Sequence, residues 1–239
     1  MKKTTFTCFV FAFTCILSAF GQDFIPGFDT FSHSKIAYVQ LNDGTMMEGE
    51  IDDIDRKKGL IEAIVMRSKS NKKAQLFPDD IKTMYLPATA MTKLDNRIST
   101  TTNVRKSRNS AINLETINKG YAYFEQSVVV LKKETSTLLL QVVNPSFCQK
   151  IRVYHDALAG QSVSVGVGFM TVAGGLDKSY FVKVGNEPAF KLRKADYEDE
   201  FPNLFANCPA FSQKYANKRD RVWRDFAQHV AEYTELCND

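Results

Sequence analysis

His155 and Asp156 stand together at the end of an expected strand, Ile151 to Tyr154, and their types could do chemistry. An imidazole beside a carboxylate supplies two members of a nucleophilic triad, with the serine still to come from elsewhere. No Gly-x-Ser-x-Gly turn is present to strain and expose such a serine, so the pair points at most to a hydrolase of unfamiliar type. The plainer reading is a hydrogen-bonded histidine at a strand end. Cys148 would need an activating histidine and an electropositive setting to act as a nucleophile, and the sequence marks neither. Asp52, Asp53 and Asp55 suggest calcium, but an EF-hand alignment from Asp53 puts Lys57 at a ligand position and Ile64 where the closing glutamate belongs. They read instead as a solvated turn. Glu198 and Glu200 lie on an expected helix and read as its wet face, not as a glycosidase pair. Three histidines (His33, His155 and His229) and scattered cysteines, with no CxxC or HxxxH spacing, give no zinc site.

Gly166-Val167-Gly168 followed by Gly174-Gly175 hints at a dinucleotide loop. The third glycine is misplaced and no helix follows, so backbone amides have no strand-to-helix turn from which to reach a pyrophosphate. The segment Ser162 to Phe169 alternates strictly instead. Val163, Val165, Val167 and Phe169 take one face, and Ser162, Ser164, Gly166 and Gly168 form a small-residue face that a helix, or a ligand, can approach closely. No residue set calls for a cofactor or a metal.

The elements that must hold these residues begin behind an export signal. Lys2 and Lys3, the apolar run Phe6 to Leu17, and Ala19 and Gly21 ahead of Gln22 have the order of a cleavable signal peptide over 1–21. The run is too short to span a bilayer. An exported, periplasmic or secreted chain with no transmembrane segment after cleavage is expected. The whole sequence has 31 basic and 27 acidic residues and a net charge of +4. Without the signal the balance falls to +2, and the basic excess lies in one segment, 88–119, which reads as a solvated loop or, alternatively, as a docking surface for phosphate-bearing polymers.

Residues 22–34 read as an extended leader with Pro26 and Gly27. Over 35–87, five short strands separated by polar turns predict a small β module, barrel-like or a bent sheet. Its opening, strand, Asp43-Gly44, strand, Glu48-Gly49, resembles SH3-like or Sm-like barrels in a pattern of low specificity. Residues 88–119 hold six bases and two acids and read as a basic linker or loop, with one short helix near Ile112 to Ile117. The aromatic interleaving that single-strand nucleic-acid binding needs is missing there. Residues 120–193 predict a second, antiparallel β domain, with apolar runs at Ser127–Leu131 and Leu138–Val143 belonging at a sheet centre. The chain is therefore expected to be α+β, with C-terminal helices over 194–239 packed on the second sheet.

Those helices are expected over Ala195–Phe205, with Tyr197, Phe201, Leu204 and Phe205 inward and Pro202 inside it, then from Pro209 to about Ala216, then from an Asp220 cap onward. In the last, Val222, Phe226, Val230, Tyr233 and Cys237 share one face, and His229 falls between faces, partly exposed. Export makes a disulfide plausible. Cys208 and Cys237 are the expected pair, Cys148 staying outside it, provided the chain reverses near Asn217 to Asp220.

Several segments together, Asn144-Pro145-Ser146-Phe147, Lys150 to Asp156, Gly166 to Gly175, Leu204 to Pro209 and the Tyr233 helix, resemble the secreted, functionally uncharacterised proteins common in flavobacteria and related Bacteroidota. The resemblance implies export and a fold, and brings no activity with it. The expected function is a non-catalytic envelope or secreted interaction protein that contacts envelope protein or glycan. The alternative is the hydrolase built on His155 and Asp156.

Overall fold

The computed structural model describes residues 23–89, 112–132, 134–160 and 177–237. The signal peptide, most of the basic segment and the small-residue face of Ser162, Ser164, Gly166 and Gly168 lie outside the described residues. Ten strands form one mixed sheet: β1 (Ile36–Leu41), β2 (Met46–Lys57), β3 (Leu60–Arg67), β4 (Lys73–Leu76), β5 (Ile81–Pro87), β6 (Tyr121–Leu131), β7 (Glu134–Gln141), β8 (Ile151–His155), β9 (Ser179–Val184) and β10 (Ala189–Arg193). A short helix, α1 (Leu114–Asn118), precedes β6, and α2 (Tyr197–Leu204), α3 (Pro209–Lys214) and α4 (Phe226–Leu236) follow β10.

The order along the sheet is β4-β3-β2-β1-β5-β6-β10-β9-β8, with β7 on the other edge of β6. Positive-φ turns build the N-terminal meander. Gly44, at φ 89°, closes the β1–β2 hairpin, and Lys58 and Gly59 are both left-handed in the β2–β3 turn. β2 is long and breaks register with β3 between Ile51 and Asp53 and between Asp55 and Arg56, which bends it. The Asp52 to Gly59 stretch is therefore mostly strand, where a polar turn is expected from its charge alone. No barrel closes, because β4 and β5, the outer strands of this set, do not pair.

Nor is the second sheet a separate antiparallel one. β6 shares a single edge between two partners: its first half pairs antiparallel with β5, and Val129 and Val130 pair parallel with Ala189 and Phe190 of β10. This eleven-residue strand is buried on both faces from Ala122 to Glu125 and exposes Val128 and Val130 further on, and its length lets it serve both halves of the molecule. Asn144 is fully buried and substitutes for missing ladder bonds. It donates to the Phe147 and Ile151 carbonyls and accepts from Val153 N at 2.9 Å.

The leader is not a loose arm. Ile25 N donates to Val143 O, and the Gln141 amide clamps it twice, accepting from Phe28 N at 2.8 Å and donating to Pro26 O at 3.0 Å. Phe24 enters an aromatic cluster with Phe147, Tyr180 and Phe226, whereas Phe28 and Phe31 are buried in the core of the N-terminal strands. Nine residues thus strap two cores together.

α2, α3 and α4 cover β8, β9 and β10 through a cluster that includes Tyr197, Phe201, Phe205, Phe211, Phe226 and Val230. Pro202 sits inside α2, and Tyr197, Phe201 and Leu204 are buried. α4 starts later than its apolar spacing suggests, because two 3-10 turns, Lys218–Asp220 and Trp223–Asp225, come first. Val222 consequently points out, 41% exposed. The first of these turns supplies the chain reversal that the disulfide requires. Cys208 and Cys237 are bonded, their Cα atoms 5.8 Å apart, and Cys148 is buried outside the bond.

Candidate functional site

β8 delivers His155 and Asp156 to one end of the sheet, opposite the start of β9, with His155 in register with Tyr180. Successive strand residues point to opposite sides, and these two diverge accordingly. Asp156 is 2% exposed. Its Oδ2 accepts the Ser179 hydroxyl at 2.6 Å and lies 2.5 Å from Lys191 Nζ, and its Oδ1 accepts from Leu158 N at 3.1 Å. Lys191 is held in turn above the Phe181 ring. Three donors thus occupy the two oxygens of Asp156, and none of them is a histidine.

His155 takes a different carboxylate. Its Nδ1 lies 3.3 Å from Asp177 Oδ2, the two side chains 16% and 12% exposed. The approach is a close contact rather than an aligned hydrogen bond, since Nδ1 has no partner of good geometry. The other side of the ring is covered by the strap, where a Cβ on Gly27 would collide with it. The residues that could form a triad therefore make two separate pairs, Ser179 with Asp156 and His155 with Asp177. Ser179 donates its hydroxyl to Asp156, and among the described residues no hydrogen bond joins a serine to His155.

A second polar cluster escapes a search for motifs. Glu125, in the apolar β6, is buried and accepts from Arg152 at 2.8 Å, from the Tyr154 hydroxyl at 2.7 Å and from the Tyr123 hydroxyl at 3.4 Å. Burial, reinforced by the Glu125 charge, pushes both phenols far above the usual tyrosine range. Burial alone would lower the Arg152 guanidinium, but Glu125 more than reverses this. The only advance signal is a glutamate inside a run of large apolar residues.

His229, expected to be partly exposed, is 1% exposed. The late start of α4 rotates it inward, where its Nδ1 meets the Tyr197 hydroxyl at 2.6 Å and the Asp220 carbonyl bonds the ring. Burial among Tyr197, Phe201, Phe205 and Tyr215 holds its pKa below the ordinary 6.5, against the opposing pull of Asp225 and Glu232. The Glu232 carboxylate nearby is raised by burial but lowered further by Lys214, Tyr215 and Gln228, which all donate to it, and ends below its usual range.

Asp52 is tied to Lys73 at 2.5 Å and to Arg67 at 3.7 Å, so it lies in a surface charge network on β2. Glu198 and Glu200 are in the first turn of α2, where Glu198 pairs with Lys218 and Glu200 accepts from Asn203 at 3.1 Å. Among the described residues no three His, Cys, Asp or Glu side chains are grouped to hold a metal ion. No helix among them is long and apolar enough to cross a membrane. Comparison with known proteins returns no matching family model, curated protein or solved structure.

Proposed function

We propose that this chain is an exported, non-catalytic interaction protein of the envelope or the extracellular space, contacting protein or glycan, and that it belongs with the secreted Bacteroidota proteins its motifs resemble. The observation that carries the reading is the separation of His155 from Asp156. Asp156 is held by Ser179, Lys191 and Leu158 while His155 lies against Asp177 and the strap, an arrangement that favours a structural role for the most reactive-looking pair in the sequence. The Cys208–Cys237 bond supports the compartment, since disulfides persist where the redox poise is oxidising.

The test is a comparison of turnover and binding in the mature chain. Wild type, His155→Ala and Asp156→Asn are assayed against ester, peptide and glycoside substrates, with fold checked by circular dichroism. The expected outcome is no turnover above buffer in any of the three. Turnover by wild type that disappears in folded His155→Ala would establish the hydrolase instead. Cell fractionation with a thiol-trapping reagent checks export, which predicts an oxidised Cys208–Cys237 pair in the envelope or medium.

A further inference from the structure

A cleft of about 420 Å³ opens where the chain enters α2 and passes again just before α4. Lys194, Arg221 and Arg224 line it with a single acid, Glu198, and with Val222 and the indole of Trp223. We propose that this cleft binds an oxyanion, a carboxylate or phosphate, carried on a compact ligand such as an acidic sugar. The cleft lies apart from the His155 and Asp156 side chains and does not depend on whether the protein is catalytic.

The charge balance supports an anion. Glu198 is already engaged by Lys218 at 3.5 Å, outside the lining, so its charge is compensated there. Lys194 forms no ion pair with another described residue, and Arg224 reaches only its neighbour Asp225 at 3.1 Å. The lining thus carries three cations against one acid that is itself paired, and such an excess of positive charge raises the local concentration of an anion and strengthens its binding as salt falls.

The geometry supports a fixed site rather than a loose patch. Arg221 donates from Nε to the Tyr215 carbonyl at 3.0 Å and from Nη2 to the Ala216 carbonyl at 3.4 Å, and its guanidinium lies 5.0 Å from the centre of the Phe201 ring. Its Nη1 makes no hydrogen bond to another described residue. A guanidinium immobilised before binding loses little entropy when it takes a carboxylate or phosphate oxygen. Trp223 is anchored by its own bond, Nε1 to the Asp177 carbonyl at 3.0 Å, so that wall is rigid as well. Val222 and the aliphatic part of Lys194 offer the apolar surface against which the C–H face of a sugar can rest.

Trp223 is the chain's single tryptophan, so its fluorescence reads this cleft directly. The experiment titrates the mature protein with glucuronate, inorganic phosphate and glucose at low ionic strength. Glucuronate and phosphate are expected to give saturable changes that disappear in high salt, and glucose none. Lys194→Gln and Arg224→Gln, both at solvent-exposed positions, are each expected to weaken the anions about tenfold, the loss of one charge-assisted hydrogen bond. Glucuronate binding more tightly than phosphate would assign the sugar scaffold a share of recognition; equal binding would assign it all to the charge. The proposal is overturned if neither anion gives a saturable response, if glucose binds as well, or if the Lys194→Gln/Arg224→Gln double variant binds as wild type does.

Discussion

Gly27→Ala adds one methyl where the strap crosses His155. Gly27 does not need a left-handed backbone, so the substitution acts through space and not through conformation. The new Cβ would come closer than 3.0 Å to Cε1, Nδ1 and Cδ2 of the ring together, so no small rotation of the ring clears it. Either the ring leaves Asp177, 3.3 Å away, or the strap lifts and weakens the Gln141 clamps on Pro26 and Phe28. Overpacking of this kind costs about 1–3 kcal/mol. The smaller entropy of the unfolded alanine chain returns about 0.4–1 kcal/mol. A net loss near 1–2 kcal/mol follows, which in a chain of this size lowers Tm by about 2–8 °C. The assay is a double-mutant cycle by urea and thermal unfolding with His155→Ala. Without the imidazole the methyl has room, and Gly27→Ala should become neutral or slightly stabilising. An equal cost in both backgrounds would refute the reasoning, because the ring would then not be what the methyl meets.

Three further outcomes are expected. Cys208→Ser should destabilise the chain by about 3–4 kcal/mol, the chain-entropy value for a closed loop of this length, read as a lower urea midpoint that reductant also produces in wild type. Glu125→Gln leaves the half-exposed Arg152 without its carboxylate and should cost about 1–3 kcal/mol, measured by the same melts, whereas Glu62→Gln on the surface should cost little. Because the folded-state pKa of His229 is depressed, the unfolded chain binds its proton first. Stability should therefore be complete above 6.5 and fall as pH is lowered from there toward the folded value, and His229→Gln should flatten Tm against pH over that window.

What the sequence disclosed follows from how local each signal is. The strands from Ile36 to Leu86 and the inward residues of α2 declare themselves through periodicity within a few residues, and the disulfide follows from the break between α3 and α4. Pairing partners are not local. Nothing within Ala189–Arg193 says that it will lie parallel to Val129 and Val130, so two sheets were expected where one forms. The strap has no period at all: its aromatic residues face two cores in turn, and contacts distant in sequence, from Gln141, Val143 and Ala88, fix their phase. His229 was misjudged for a geometric reason. Extending one helix back to Asp220 imposes a regular rotation that the two 3-10 turns interrupt. At the candidate site, the adjacency of His155 and Asp156 is visible, but the partners that separate them, Asp177, Ser179 and Lys191, lie more than twenty residues further along the sequence.

The divided edge of β6 also has a consequence in time. As the chain emerges from its N-terminus, β5 can pair with the first half of β6 as soon as Tyr121 to Glu125 appear. The second half must wait for Ala189, some sixty residues later. During that interval an apolar strand end presents unpaired amides and carbonyls beside an already formed sheet, a surface on which another chain's strand could settle. Closing this edge is a long-range step that local structure cannot hurry. A holding partner during emergence would act most usefully on this stretch, and crowding of nascent chains would do its damage there.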